Sequence, residues 1–442
     1  MATDPVQRVR SRVNESPFDL DLHGTLQEVA ALPVVADSPF LSVSLDWTPS
    51  FDNPGRRPAD ELRRSEARNV TTESTTQRPA LTWFHAEARA LLASLDERSV
   101  ERAGLEADID RVTAWLERDL DPSARGAIVY SSTGQDIFVP LALGVPVPNR
   151  IGYGPLSSLD VLAHVDEDYA THAILVARQQ EADLTFVTQG TQEGGIRLES
   201  TLFPRRQSSG GLNQRRYQNR ADERTSAFAR TIASETAKAL EETGVDVLVL
   251  VGSETFLREI TAEFPMQVQD MVAGTVRMDF QQHPGDQAII DAAAPHALAA
   301  ERHQEASAVA EVRDRLGGGM AVAGAVDVVN ALKAGNVRTL VMNEDFAEPG
   351  WADFSYPVYG AGNIPAEHPL GGETANIVEV ALAEELIRFT LQQDGQIELI
   401  HTATPVDADT APTRESGEQA RSEPSRLLDD AGGVAALLRF VQ

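Results

Sequence analysis

The chain has 442 residues, a formal net charge of −29 and no cysteine. Its length predicts two or three domains, each large enough to bury its own core. The lack of cysteine excludes disulfides and thiolate metal sites, and the excess of 67 acidic over 38 basic residues excludes a generally basic surface that coats nucleic acid. No apolar run approaches the roughly twenty residues of a membrane span and no signal peptide is visible, so we expect a cytoplasmic protein with no membrane partner.

Lysine is scarce in this acidic chain. Lys238 and Lys333 are its two lysines, and its other basic residues are arginines. Strong acidity with little lysine fits either a salty cytoplasm or a GC-rich genome, and neither interpretation decides the function.

The first third of the chain, residues 1–166, is predicted to be an amino-terminal α/β domain. Apolar patterns predict strands over Pro39–Trp47 and Gly126–Ser132. Apolar residues at helical spacing predict helices over Ala80–Leu95 and Val100–Leu120. Mixed strands and helices indicate a layered α/β structure.

The middle third, residues 167–295, is predicted to be a second α/β domain. Its strand patterns cover Thr171–Arg178, Asp183–Gly190, Gly195–Pro204 and the all-apolar Val245–Val251. A Gly252-Ser253 turn follows the last of these strands, and we expect Ser253 to cap the next helix. The turn lacks the glycine pattern that a dinucleotide site needs.

Within this domain, residues 205–230 reverse the charge of the protein. The segment carries seven arginines against the two acids Asp222 and Glu223, so its net charge is 7 − 2 = +5. Ser-Ser-Gly-Gly does not hold a regular element, whereas the pattern from Arg215 onward predicts an amphipathic helix. A glycine tip on a basic helix suits a phosphate-rich space, because glycine has no Cβ to clash and guanidinium groups neutralise phosphates. The residues alone also fit a surface loop beside a solvated helix face.

The last third, residues 296–442, is predicted to be a carboxy-terminal α/β domain. An alanine- and glutamate-rich helix ends near Leu316, and a helix over Ala323–Ala334 precedes a strand over Val337–Met342. The stretch 406–425 is acidic and unpatterned, and we interpret it as a solvated loop.

The basic segment resembles the glycine-glycine-glutamine loop and following helix of the archaeo-eukaryotic class-1 release factors and Pelota. The positions that match are Gly210, Gly211, Arg216, Tyr217, Phe228, Arg230 and Ala233. One position departs from the pattern, because Leu212 follows the glycines and the nearest glutamine is Gln214. A displaced glutamine of this kind is similar to the divergent bacterial and archaeal release-factor-like branch, which is related to the Vms-type peptidyl-tRNA hydrolases and to Balon.

The resemblance extends over residues 169–442. The order of strands and helices around the glycine loop is similar to the central domain of the family, and the closing Ala431–Phe440 is similar to the family's carboxyl end. The resemblance implies an α/β protein of three mixed-sheet domains, whose central domain carries a glycine loop and a long basic helix.

The resemblance also implies an activity. In the family, the glutamine beside two glycines helps to position water against the ester of peptidyl-tRNA on the ribosome. Here Gly210, Gly211 and Gln214 are then the catalytic candidates. The candidate RNA contacts are Arg205, Arg206, Arg215, Arg216 and Arg220. No metal and no cofactor is implied.

The implied partners are the ribosomal A site, its rRNA and peptidyl-tRNA. The first third lacks the family's stop-codon-reading motifs, so we expect binding without codon recognition. A translational GTPase is a further possible partner at the carboxy-terminal domain, where an acidic face from Glu379, Glu384, Glu385 and the acidic tail loop would receive it. The alternative is an A-site binding factor without hydrolysis, as in ribosome hibernation or Pelota-like rescue.

The histidines give no clear site in the sequence. Nine histidines are scattered without the spacing of metal ligands. His164, Asp166, Glu167 and Asp168 form a polar cluster that we interpret as the start of a helix.

Overall fold

The computed structural model describes most of the chain, with gaps. The described residues are 6–10, 18, 21–35, 37–49, 78–178, 180–200, 214–278, 280, 285–356, 358–403 and 421–441. They form two compact units, each built from two stretches of chain. The first unit is Met1–Ser16 with Glu167–Ser307, and the second is Pro17–Asp166 with Ala308–Gln442.

Helices and strands alternate along the chain. The helices of the described residues are α1 (Leu22–Ala30), α2 (Pro79–Ser94), α3 (Val100–Arg118), α4 (Asp160–Asp168), α5 (Gln214–Thr243), α6 (Glu254–Glu263), α7 (Met266–Asp270), α8 (Asp286–Leu316), α9 (Ala325–Lys333), α10 (Leu382–Gln392) and α11 (Glu423–Asp429). The strands are β1 (Val6–Arg10), β2 (Phe40–Asp46), β3 (Gly126–Ser132), β4 (Ile137–Leu143), β5 (Arg150–Gly154), β6 (His172–Ala177), β7 (Glu181–Thr188), β8 (Thr191–Ser200), β9 (Leu248–Gly252), β10 (Val272–Arg277), β11 (Ala321–Ala323), β12 (Val337–Asn343), β13 (Pro349–Asp353), β14 (Val358–Ala361), β15 (Val378–Ala381), β16 (Gln396–Ile400) and β17 (Val434–Leu438).

The first unit is built on a six-stranded mixed sheet in the order β1-β8-β7-β6-β9-β10. Neighbouring strands pair antiparallel among β1, β8, β7 and β6, and they pair parallel among β6, β9 and β10. Side chains of β6 alternate between two cores, because successive residues of a strand point to opposite faces. Leu175 packs with α5 and α6, while Ile174 and Val176 pack with the start of α8. Helices therefore cover both faces of the sheet.

The second unit contains three sheets. The four-stranded antiparallel sheet β4-β3-β2-β5 comes from its first stretch of chain, and its apolar face packs against α2 and α3. The sheets β11-β17-β12-β16 and β14-β13-β15 come from its last stretch. In the former, β12 pairs parallel with β16 and antiparallel with β17. This arrangement places the ends of β12 and β16 side by side.

The mixed α/β class that the sequence predicted is confirmed. The predicted strand over Gly126–Ser132 matches β3, and the strand over Val337–Met342 lies within β12. The predicted loop 406–425 extends too far, since α11 begins at Glu423. The predicted three-domain boundaries stay a prediction.

The position of the polar cluster at His164 differs from the helix start that the sequence predicted. His164, Asp166 and Asp168 lie at the end of α4, which begins at Asp160. The prediction of a helix start was wrong, because Asp160 and the apolar Val161 and Leu162 already belong to the helix and its packed face.

Among the described residues, no helix is both long and apolar enough to cross a bilayer.

Candidate functional site

The glycine segment joins the last antiparallel strand of the first unit to its longest helix. Strand β8 ends at Ser200 and α5 begins at Gln214. Arg205, Arg206, Gly210 and Gly211 lie between these two points and outside the described residues. The sequence candidates are thus bounded by a sheet strand on one side and a helix on the other.

The remaining candidates lie on the first two turns of α5. Gln214 is the first helical residue, and Arg215, Arg216 and Arg220 follow it. The structure describes the backbone of these residues and not their side chains. The predicted basic helix from Arg215 is therefore present, and the roles of its arginines stay a prediction.

Helix α5 is held by its carboxy-terminal half. The helix has 30 residues, which corresponds to about 45 Å of length. Phe228, Ile232 and Leu240 are buried against the sheet and α6, and the ring of Phe228 stacks on Phe256 with centroids 6.2 Å apart. Burying these side chains fixes the helix axis, so the position of the Gln214 end is set by packing that begins about four turns away.

The described basic side chains that lie nearest to the Gln214 end of α5 are exposed to solvent. Arg224 is exposed. Arg230 is also exposed and lies 3.7 Å from a carboxylate oxygen of Glu263, a separation at which a surface ion pair contributes little. Both guanidinium groups remain open to an anionic partner.

The Gly252-Ser253 turn leads from β9 into α6, which shares a core with α5. A Cβ on Gly252 would lie 2.6 Å from the carbonyl oxygen of Ala177 on the adjacent parallel strand. Ser253 occupies the position before α6, but its side chain makes no capping hydrogen bond. The predicted N-cap position is therefore confirmed without the side-chain hydrogen bond, and the backbone carbonyl of Ser253 accepts from the amides of Phe256 and Leu257.

A second cluster of polar side chains lies in the second unit. His164, Glu344 and His401 each bring one potential metal-ligating atom within 4.8 Å of the others. The sequence analysis missed this cluster, because the three residues are far apart in the chain. A signal was present, since Glu344 and His401 each directly follow a strand of the parallel pair β12 and β16, whose carboxyl ends meet at one edge.

The carboxylate of Glu344 is held in one orientation. Its Oε1 accepts from the amide of Thr402 at 2.7 Å and from the hydroxyl of the same residue at 2.5 Å. Burial raises the pKa of Glu344, but the hydrogen bonds from His164 and Thr402 and the nearby His401 outweigh burial and lower it to about 2.

A half-buried pair of acids, Glu384 and Asp160, lies beside this cluster. The Glu384 carboxylate accepts from the amide of Leu159 at 2.5 Å. Burial and the nearby charge of Asp160 raise the pKa of Glu384 to about 8. Asp160 also forms an ion pair with Arg150.

These contacts correct the prediction of an acidic docking face for a GTPase. Glu384 turns toward Leu159, and Glu385 is buried in an ion pair with Arg388 at 2.6 Å. Glu379 is exposed. Two of the three glutamates thus make contacts within the second unit and do not form an acidic surface.

Another histidine, His368, makes contacts through both of its ring nitrogens. The Nε2 of His368 contacts Asp353 at 3.0 Å, and its Nδ1 accepts from the amides of Leu370 and Gly372. Both side chains of the histidine–aspartate pair are completely buried. Because both ring nitrogens are occupied, this pair stabilises the small sheet and is not free for catalysis.

The sequence of the middle segment matches one protein family. Residues 158–307 match the family model "Bacterial archaeo-eukaryotic release factor family 10". The matched residues include β6 to β10, the glycine segment and α5. This match covers the middle segment and not the whole chain. The resemblance inferred from the glycine segment is therefore confirmed at the level of the superfamily.

Solved structures of release-factor and Pelota proteins are also similar to the chain. An archaeal translation termination factor, aRF1, is 16% identical, with 95% of this chain and 97% of that chain covered and a TM-score of 0.23. Dom34 of S. cerevisiae is 13% identical, with 72% and 81% covered and a TM-score of 0.36. Pelota of Archaeoglobus fulgidus is 15% identical, with 73% and 81% covered and a TM-score of 0.29. A comparison with curated proteins found no match.

Proposed function

We propose that this protein is a ribosome-associated, codon-independent release or rescue factor that hydrolyses the peptidyl-tRNA ester. One observation carries the proposal. The Gly210-Gly211 segment directly precedes a 30-residue helix that is anchored by buried side chains, and this arrangement lies within the residues that match the release-factor family.

The proposed chemistry is placement of water. Gln214 orients a water molecule against the ester carbonyl, while Gly210 and Gly211 allow the backbone to approach where a Cβ would clash. The protein needs no nucleophile of its own, because positioning and exclusion of competing geometries lower the barrier and the ribosome supplies much of the surrounding site.

The proposed RNA contacts surround this tip. Arg215, Arg216 and Arg220 lie on the first turns of α5, and Arg205 and Arg206 precede the glycines in the sequence. Guanidinium groups contact phosphates through charge and paired hydrogen bonds, so these residues fix orientation and not sequence. The strong negative charge of the rest of the chain confines RNA contact to this segment.

Two partners follow from this proposal. The protein occupies the A site, beside a peptidyl-tRNA in the neighbouring site. A translational GTPase is a further proposed partner for the last third of the chain, although Glu384 and Glu385 do not offer it an acidic face.

A second candidate function is A-site binding without hydrolysis, as in a hibernation factor or a Pelota-like rescue factor. Leu212 favours it, because an apolar residue occupies the position where the family places its glutamine. The retained glycines and Gln214 favour hydrolysis. The two candidates differ in whether peptide is released.

A peptidyl-tRNA release assay on stalled ribosomes tests the hydrolase proposal. The wild-type chain should release peptide, and Gln214→Ala and Gly211→Ala should slow release by about 100-fold, because a small displacement of the attacking water costs this much. Gln218→Ala, the same substitution one turn further along α5, is the matched control and should retain the wild-type rate.

The outcomes separate the two candidate functions. No release by the wild type, or equal rates in all four proteins, would remove the hydrolase proposal. Ribosome cosedimentation that survives the substitutions would then favour the binding factor. Absence of cosedimentation by the wild type contradicts both functions.

A further inference from the structure

The second unit brings together two imidazoles and one carboxylate from three separate elements. His164 lies on α4, Glu344 follows β12, and His401 follows β16. Asn343 and Ile400, the last residues of these strands, are paired partners in the parallel ladder. The sheet itself therefore fixes Glu344 and His401 next to each other, and α4 supplies the third group.

The side chain of His164 is oriented toward Glu344 by a backbone contact. Its Nδ1 lies 3.1 Å from the backbone carbonyl oxygen of Asp160, which only accepts, so this nitrogen donates its proton there. The Nε2 then faces the Glu344 Oε2, 3.3 Å away. An imidazole nitrogen and a carboxylate oxygen at this distance are joined by a positive group, either a proton on the ring nitrogen or a metal ion.

The hydrogen-bond partners of His164 and Glu344 are of the kind that orient metal ligands. A metal-binding histidine commonly donates a hydrogen bond from the N–H of its second ring nitrogen to a backbone carbonyl oxygen, as the Nδ1 of His164 does toward Asp160. The Glu344 Oε1 is occupied by both hydrogen-bond donors of Thr402, which leaves Oε2 for another partner. The potential ligand atoms of His164, Glu344 and His401 lie within 4.8 Å of one another. Ligand atoms of one ion with bonds of about 2.0–2.2 Å lie at most about 4.4 Å apart, so a bound ion draws the three side chains slightly closer together.

We propose that His164, Glu344 and His401 form a binding site for a divalent transition-metal ion of the zinc class. Two imidazoles with one carboxylate suit zinc and its neighbours better than calcium or magnesium, which prefer oxygen ligands. Three protein ligands leave a fourth position for water or another small ligand. The inference is independent of the glycine segment, which belongs to the other unit.

The proposed site is accessible from a cavity within the same unit. His164 and Glu344 are among the residues that line this cavity of about 470 Å³, and their side chains are 23% and 24% exposed. The first stretch of the unit provides His164 and the last stretch provides the other two ligands. A bound ion therefore links these stretches and stabilises the folded unit.

Titration of the untagged, chelator-treated full chain with Co²⁺ and Zn²⁺ tests the site. Wild-type protein should bind one equivalent of Co²⁺ with the visible absorption of a four- or five-coordinate ion, and Zn²⁺ should displace it. Glu344→Gln and His401→Gln, which keep side-chain size, should each weaken binding by about 100-fold or more. Thr402→Val, which removes one hydrogen bond to the Glu344 carboxylate, should weaken it by about tenfold.

His303→Ala is the matched control, because His303 is an exposed histidine on α8 outside the cluster. Its binding should equal that of the wild type. Zn²⁺ should also raise the thermal transition of the second unit in the wild type and in this control, and not in Glu344→Gln. Absence of Co²⁺ uptake by the wild type would overturn the proposal and leave His164 and Glu344 as an ion pair. Uptake that both ligand substitutions leave unchanged would also overturn it, by placing the ion elsewhere.

Discussion

At the scale of single residues, Glu384 is set apart by the raised pKa of its carboxyl. Burial and the neighbouring Asp160 disfavour a second negative charge, which raises the pKa to about 8. The unfolded chain has the ordinary glutamate value, so the folded protein binds a proton that the unfolded chain releases between about pH 4.5 and pH 8. The free energy of unfolding of the second unit is therefore expected to fall as the pH rises through this range.

We predict that Glu384→Gln stabilises the second unit at pH 8 and has little effect at pH 5. A glutamine is neutral at both values and still offers an oxygen to the Leu159 amide. The expected gain at pH 8 is about 1–3 kcal/mol. Urea unfolding followed by tryptophan fluorescence measures it, since Trp47, Trp83, Trp115 and Trp351 are the four tryptophans and all lie in the second unit.

The matched control for this prediction is Glu379→Gln, because Glu379 is exposed. It should leave the unfolding free energy close to that of the wild type at both pH values. A Glu384→Gln protein whose stability tracks the wild type from pH 5 to pH 8 would show that the carboxyl is ionised in the folded state.

At the scale of elements, the contact between β9 and its neighbouring strand determines how α5 and α6 are supported. Gly252 ends β9 and is paired with Ala177 of β6. A Cβ at this glycine would lie 2.6 Å from a backbone oxygen and 3.2 Å from the side chain of Leu257. A strand in the middle of a sheet cannot move away, so this position excludes a larger residue.

We predict that Gly252→Ala destabilises the first unit by about 1–3 kcal/mol, the cost of overpacking a well-filled core. The change should appear in the far-ultraviolet circular dichroism transition and not in tryptophan fluorescence, because the tryptophans report the second unit. Gly285→Ala is the control, since a Cβ there would meet no atom within 4 Å. Equal stability of the two variants would refute the steric account.

At the scale of the whole molecule, charge is the dominant feature. The formal net charge is −29 over 442 residues, and like charges at this density repel one another more strongly in the compact state than in the unfolded chain. Salt screens this repulsion over about 10 Å at 0.1 M and about 3 Å at 1 M. The surface ion pairs contribute little by themselves, so their loss does not offset the screening.

We predict that raising KCl from about 0.05 M to 1 M stabilises the protein. We expect the free energy of unfolding of each compact unit to rise by about 1–2 kcal/mol, which corresponds to an increase of roughly 2–8 °C in the midpoint of thermal unfolding. Circular dichroism and tryptophan fluorescence should both shift upward. NaCl at equal ionic strength is the control for screening and should act equally. A falling or constant midpoint would indicate that attractive ion pairs outweigh the net repulsion.

Local patterns determined much of the architecture. The apolar runs that become β3 and β12 and the helical spacing that becomes α2 and α3 are properties of neighbouring residues, and they predicted these elements with small errors at the ends. The glycine pair and the arginines after it are likewise adjacent in the chain, so the sequence alone determined the resemblance to the release factors.

Only the tertiary structure decided which distant residues meet. His164, Glu344 and His401 come together because two parallel strands end at one edge beside α4, a pairing that spans 401 − 164 = 237 residues of chain. Glu384 and Glu385 read as surface charge in the sequence, and their burial depends on Leu159 and Arg388. Periodicity reports which side of an element is apolar, whereas the proximity of charges and ligands depends on how the elements pack.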